Sequence, residues 1–146
     1  TYGAKEDVDW LAMYMGVSRN YALMVSDALD AEYTVMMDGE MHGSLFFRDF
    51  LDKKDKYAVY FGGNYAKVDI TMENSEGSED LLIIKDSFGN AMAPFFSQNY
   101  HTVYVVDYRY YSKSVSNLVG SLDINDIIFL HNIACVDVLR SCRFNV

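Results

Sequence analysis

The chain has 146 residues, of which 51% are hydrophobic, with 12 Tyr, 9 Phe and 1 Trp. That is a globular composition, long enough to bury roughly 68–70% of its unfolded surface in one domain, and it excludes a disordered polypeptide. A net charge of −9 with no run of Lys or Arg argues against nucleic acid and against anionic lipid as partners.

Residues 4–16 place Val8, Leu11, Ala12 and Met15 at helical spacing, with acidic residues in the first turn and Gly16 to end it, which predicts an amphipathic helix. A second helix is expected over 21–29, and a strand from Glu32 to Met37. His42–Phe50 fits no single pattern. The charged cluster Asp52–Lys56 reads as a loop. Tyr57–Phe61 and Ala66–Met72 are β-prone runs separated by Gly62-Gly63-Asn64, and the polar stretch 73–80 is a surface loop.

The last third has the sharpest pattern. Leu81–Lys85 is a continuous apolar run of strand length, as are Thr102–Val106 and Ile127–Leu130. A helical segment from about Phe88 and another over Ser112–Gly120 lie between them. Pro94 requires the first of these helices to be short, bent or broken. Strand, helix, strand, helix, strand predicts an α/β domain with a mainly parallel sheet.

In such sheets chemistry sits at the carboxyl ends of the strands. Those ends carry Lys85, Asp86, Ser87, Phe88, Gly89 and Asn90, then Asp107, Tyr108 and Arg109, then His131 and Asn132. Ser87, at a strand-to-helix turn, is either a nucleophile facing backbone donors at the helix start or an ordinary N-cap. The local sequence is not the GxSxG of a nucleophile elbow. Arg109 reads as an anion-binding group or as the ion-pair partner of Asp107 or Asp86. Asn64 reads as an oxyanion donor or as a turn residue in the left-handed region. His131 is a base facing Ser87 or a rim histidine bonded to backbone. His42 and His101 read as surface or structural residues. Tyr104, Tyr108, Tyr110 and Tyr111 form a sugar platform or belong to the core. Cys135 and Cys142 have neither CxxC spacing nor a histidine cluster, so no zinc site is expected, and whether they pair is open. No cofactor motif is present. No run of 18 apolar residues exists, so no spanning helix or membrane contact is expected of this segment.

LLIIKDSFGNAMAPFF, the following VVDYRYY, the upstream FGGNYAKVDI and the closing DINDIIFLHN together resemble the region around the serine in the DHHW family of bacterial envelope proteins. The resemblance covers Tyr57–Asn132 well and the first fifty residues loosely. That family is similar to SGNH hydrolases and to alginate O-acetyltransferases. The resemblance implies a three-layer, flavodoxin-like SGNH domain over 1–146, incomplete at its N-terminus as the C-terminal portion of a longer exported chain. It implies Ser87 as the catalytic residue, with Gly63, Asn64 and Arg109 at the oxyanion or substrate, and Asp86, Asp107 and His131 as secondary candidates. The implied activity is an esterase or O-acetyltransferase acting on a cell-envelope polysaccharide, outside the cytoplasm, with an acyl donor and a membrane-bound acyltransferase as partners. The alternative is a non-catalytic carbohydrate-binding or structural domain of the same shape. The family's Asp-His-His-Trp motif, source of its Asp and His, is missing from this sequence, so the chain alone is expected to turn over little substrate.

Overall fold

The computed structural model describes residues 33–73 and 77–133. The helices expected over 4–16 and 21–29, and both cysteines, lie outside the described residues. The element order is β1 (Tyr33–Met37), β2 (Glu40–His42), 3-10 helices at Arg48–Asp52 and Tyr57–Val59, β3 (Lys67–Met72), β4 (Asp80–Lys85), a 3-10 helix at Ser87–Asn90, α1 (Ala93–Phe96), β5 (Thr102–Asp107), α2 (Val115–Ser121) and β6 (Asp126–Leu130).

The six strands form one sheet in the order β2-β1-β3-β5-β4-β6. β4 is central to the later half and parallel to both β5 and β6, as the apolar runs predicted. The expectation of a mainly parallel sheet is corrected. β1 runs antiparallel to β2 and to β3, and β3 antiparallel to β5, so three of the five pairings are antiparallel. The strand sequences carry the difference. LLIIK of β4 is buried without a break, whereas KVDITM of β3 alternates, with Val68 and Ile70 buried and Lys67 and Asp69 on the other face. Alternation marks a strand covered fully on one face only, the usual condition of antiparallel pairing.

The main core lies on the face of Val35, Met37, Val68, Ile70, Leu81, Ile83, Val103 and Val105. The opposite face carries a smaller cluster, in which Leu82, Ile84 and Val106 meet Tyr108 and Val115.

Local chemistry explains the remaining departures. Asp38-Gly39 turns β1 into β2 with both residues at positive φ, 50° and 91°, the twist that a two-residue hairpin favours. The Asp38 carboxylate then accepts Lys67 N (2.8 Å) and Ala66 N (3.3 Å), tying the hairpin to the start of β3. The β-prone run at Tyr57 is a 3-10 turn instead of a strand, and only Tyr60 forms an isolated bridge, to Phe46. Phe61, buried and at φ 66°, begins three consecutive positive-φ residues with Gly62 and Gly63. Pro94 sits in the first turn of α1, where its missing N–H costs no hydrogen bond, and the helix is four residues long. Among the described residues no helix is long and apolar enough to cross a membrane.

Candidate active site

Register brings the site together. Lys85 lies abreast of Asp107 on one side and of Leu130 on the other, so the residues that follow all three strands emerge along one rim. Asp86, not Ser87, caps the 3-10 helix. Its Oδ1 accepts Phe88 N (2.9 Å) and its carbonyl accepts Gly89 N (3.1 Å). Two expectations are corrected by this. Ser87 is not the N-cap, and the amides just after it are already bonded, so Phe88 and Gly89 hold no free donors for an oxyanion. Asp86 Oδ2 accepts Asn132 N (2.8 Å), and Asp86 N donates to Leu130 O (3.3 Å). With its buried carboxylate occupied at both oxygens, Asp86 clamps the end of β6 to the serine turn.

The charge at the rim is organised around Asp107, which is fully buried. Its Oδ2 accepts Arg109 Nη2 (2.6 Å) and Lys85 Nζ (3.1 Å), and its Oδ1 accepts Arg109 Nε (2.9 Å) and Arg109 N (3.2 Å). A guanidinium fork bound at two points is held in direction as well as in place. Burial by itself would raise the Asp107 pKa, but the Arg109 hydrogen bonds and the Lys85 charge outweigh it and hold the carboxyl below its usual value. Burial pushes the Lys85 ammonium below its usual value against the pull of Asp107. Hydrogen bonding to Asp107 raises the Arg109 pKa, so the guanidinium stays charged. Arg109 is thus the ion-pair partner of Asp107, and its remaining arm points Nη1 at Ser87 Oγ, 3.5 Å away.

Three residues that the sequence reading did not single out as site candidates hold this arrangement. Lys85, buried with 1% exposure, is the second cation on Asp107. Asn90 stands three residues after Ser87, on the same side of a helix with three residues per turn. Its Nδ2 donates to Asn64 Oδ1 (3.1 Å) and to Gly63 O (3.3 Å), so the Gly-Gly-Asn loop reaches the serine turn through Asn90. Asn64 itself is exposed and not in the left-handed region, which Phe61, Gly62 and Gly63 occupy instead. Tyr57 is the third. Its hydroxyl lies 2.9 Å from Ser87 O and 3.0 Å from Phe88 O as donor, and accepts Ala91 N at 3.3 Å. Only the hidden charge of Lys85 and the i+3 spacing of Asn90 were visible in the sequence as signals. Tyr57 had none.

His131 stands at the end of β6 with its ring edge-on to Tyr108, centroids 5.0 Å apart. Neither ring nitrogen has a hydrogen-bond partner, so it is bonded neither to Ser87 nor to backbone. Burial lowers its pKa, against the charges of Asp86 and Asp107, and leaves the ring neutral near pH 7.

Two substitutions test this framework. A Cβ on Gly89 would lie 2.6 Å from Lys85 Cβ, inside a packed core. Gly89→Ala is expected to cost about 1–3 kcal/mol of unfolding free energy, read by thermal unfolding. Tyr57→Phe removes the hydroxyl that bonds three backbone groups of the serine turn. It is expected to cost about 1 kcal/mol in urea unfolding and to speed hydrogen exchange at the Ala91 amide.

The DHHW protein family model matches residues 6–106, more than half of the chain. The chain belongs to the DHHW family. A crystal structure of a DHHW family protein from Eubacterium siraeum is similar over 68% of this chain and 35% of its own, at 29% identity and TM-score 0.58. Two structures of Bacillus cereus PatB1, one with a sulfonyl adduct, are similar over 73% of this DHHW chain at 23% identity, with TM-scores of 0.59 and 0.60. They share its fold. The chain spans little more than a third of the length of each of these proteins. A search of curated proteins finds no match.

Proposed function

We propose that this DHHW chain carries the nucleophile-bearing part of a serine esterase or O-acetyltransferase, SGNH-like in its three-layer arrangement, acting on a polysaccharide of the cell envelope. The observation that carries the reading is the Arg109 guanidinium fixed by buried Asp107 and aimed at Ser87 Oγ. A cation held beside a serine hydroxyl at the carboxyl end of a parallel strand is suited to a developing oxyanion.

In the proposed reaction Ser87 Oγ attacks an acyl carbonyl carbon. Its proton leaves to a base, and the carbonyl electron pair moves to the oxygen facing Arg109. Collapse of that intermediate expels the donor's alcohol and leaves acyl-Ser87. A sugar hydroxyl or water then attacks the same carbon and regenerates the serine. Asn64, held by Asn90, supplies a second donor from the opposite loop. Among the described residues no imidazole is hydrogen-bonded to Ser87, and the family's Asp-His-His-Trp motif is missing from the sequence. A second reading is a non-catalytic carbohydrate-binding domain of the same fold. An extracytoplasmic location and a membrane-bound acyltransferase that delivers acyl groups belong to the first reading.

One of the PatB1 structures holds a sulfonyl adduct. Electrophilic sulfonyl groups are captured by nucleophiles, so the same chemistry tests this chain. Incubation with a sulfonyl fluoride such as phenylmethanesulfonyl fluoride is expected to add one sulfonyl group, located on Ser87 by peptide mass analysis and lost in Ser87→Ala. Labelling elsewhere with Ser87 unmodified supports the binding domain.

A further inference from the structure

Asn90 is 2% exposed, and the two ends of its carboxamide are treated very differently. Nδ2 donates to Gly63 O (3.3 Å) and to Asn64 Oδ1 (3.1 Å), while Oδ1 is buried with no hydrogen-bond partner. The two ends of a carboxamide have nearly the same shape and differ only in hydrogen-bonding sense. A backbone carbonyl can only accept, so Gly63 O requires the NH2 end of Asn90 on its side. Turning the amide over would set oxygen against oxygen and give up both bonds. A buried acceptor without a donor is costly, and the one at Asn90 Oδ1 is retained because the reverse orientation loses more.

The constraint passes on to Asn64. The NH2 of Asn90 needs an acceptor, so Asn64 presents Oδ1 to it. Asn64 is exposed, and its own NH2 is left on the outer side as a donor. A backbone carbonyl thus decides, through Asn90, which end of Asn64 a ligand meets. The relay adjoins the serine, because Asn90 follows Ser87 by one turn of 3-10 helix. We propose that Asn90 is a positioning residue that fixes the Asn64 carboxamide with its NH2 outward. This side of the serine turn then offers a donor and takes a ligand oxygen that accepts, such as the carbonyl or oxyanion of an acyl group. The share of that donor in acyl transfer rests on the proposed reaction at Ser87, whereas the orientation of Asn64 does not.

Asn90→Asp tests the relay, because it keeps the shape and replaces two donors by acceptors. The Asn64 amide is then expected to turn its NH2 inward to the new carboxylate. The direct reading is hydrogen exchange at side-chain amide resonances of the isotope-labelled chain. In the wild type the Asn90 NH2 is expected to be protected and the Asn64 NH2 to exchange freely. In Asn90→Asp, shown by circular dichroism to be folded, exchange at Asn64 is expected to slow about tenfold or more. The same variant is expected to slow labelling of Ser87 by phenylmethanesulfonyl fluoride about tenfold or more, and to add nothing once Asn64→Ala is present. A protected Asn64 NH2 in the wild type overturns the inference without any variant. So does Asn64 exchange that Asn90→Asp leaves unchanged, or an equal slowing of the label with and without the Asn64 side chain. The expected exchange pattern with no label on Ser87 keeps the orientation and removes only the catalytic reading.

Discussion

Asp107→Asn is expected to destabilise this protein more than any other single substitution at the rim, by about 3–5 kcal/mol in urea unfolding. Asparagine keeps the shape but removes the carboxylate that bonds both Lys85 Nζ and the Arg109 fork, leaving only the more distant charge of Asp86. A buried ammonium would then stand without its bonded counter-charge, and breaking one partner of such a pair costs far more than the pair contributes. The reciprocal change should be mild. Lys85→Met leaves Asp107 still neutralised by two-point bonding to Arg109, and it replaces an ammonium that burial already disfavours. A cost under about 1.5 kcal/mol is expected for it. Equal losses from the two variants would show that Arg109 does not compensate Asp107.

The same carboxylate sets an acid limit. Its folded pKa is lowered, so the stabilisation is fully present above the ordinary carboxylate pKa of about 3.9 and disappears as pH falls through the lower folded value. Unfolding free energy measured from pH 6 downward should therefore fall in the wild type, beginning near pH 4, with a shallower slope there in Asp107→Asn.

Arg109→Met is expected to slow acylation of Ser87 about 10²–10³-fold, the usual consequence of removing one oxyanion donor. The rate is read with p-nitrophenyl acetate as acyl donor, and Ser87→Ala should abolish whatever turnover exists. Arg109→Lys should not restore it, because a single ammonium cannot hold Asp107 at two oxygens and face Ser87 as well. Absolute turnover by this chain is expected to be slow, since general-base help typically contributes about 10²–10⁴-fold and no imidazole is bonded to Ser87 among the described residues. His131→Ala is expected to change nothing. If it removes turnover instead, then His131 reaches Ser87 in solution and is the base.

Parallel pairing of β4 with β5 and β6, and the placement of Ser87, Asp107, Arg109 and His131 at one rim, follow from the sequence alone. Continuous apolar runs such as LLIIK and TVYVV must be buried on both faces, and a short helix between such runs forces a parallel return. Family membership was legible for the same reason, since its motifs cluster around that turn. The antiparallel half of the sheet was also written into the alternation of KVDITM and into Asp38-Gly39, but alternation states which face is covered and not which strand is the neighbour. Strand order is settled by tertiary packing. So is the state of each rim side chain. Lys85 became the second cation on Asp107 only because register sets the two abreast, and the amides after Ser87 were consumed by Asp86, a choice between two adjacent capping residues that local sequence leaves open. Tyr57 and Asn90 hold the serine turn through contacts across 34 and 26 residues. Such contacts leave no periodicity in a sequence, because only the folded chain brings those positions within hydrogen-bonding distance.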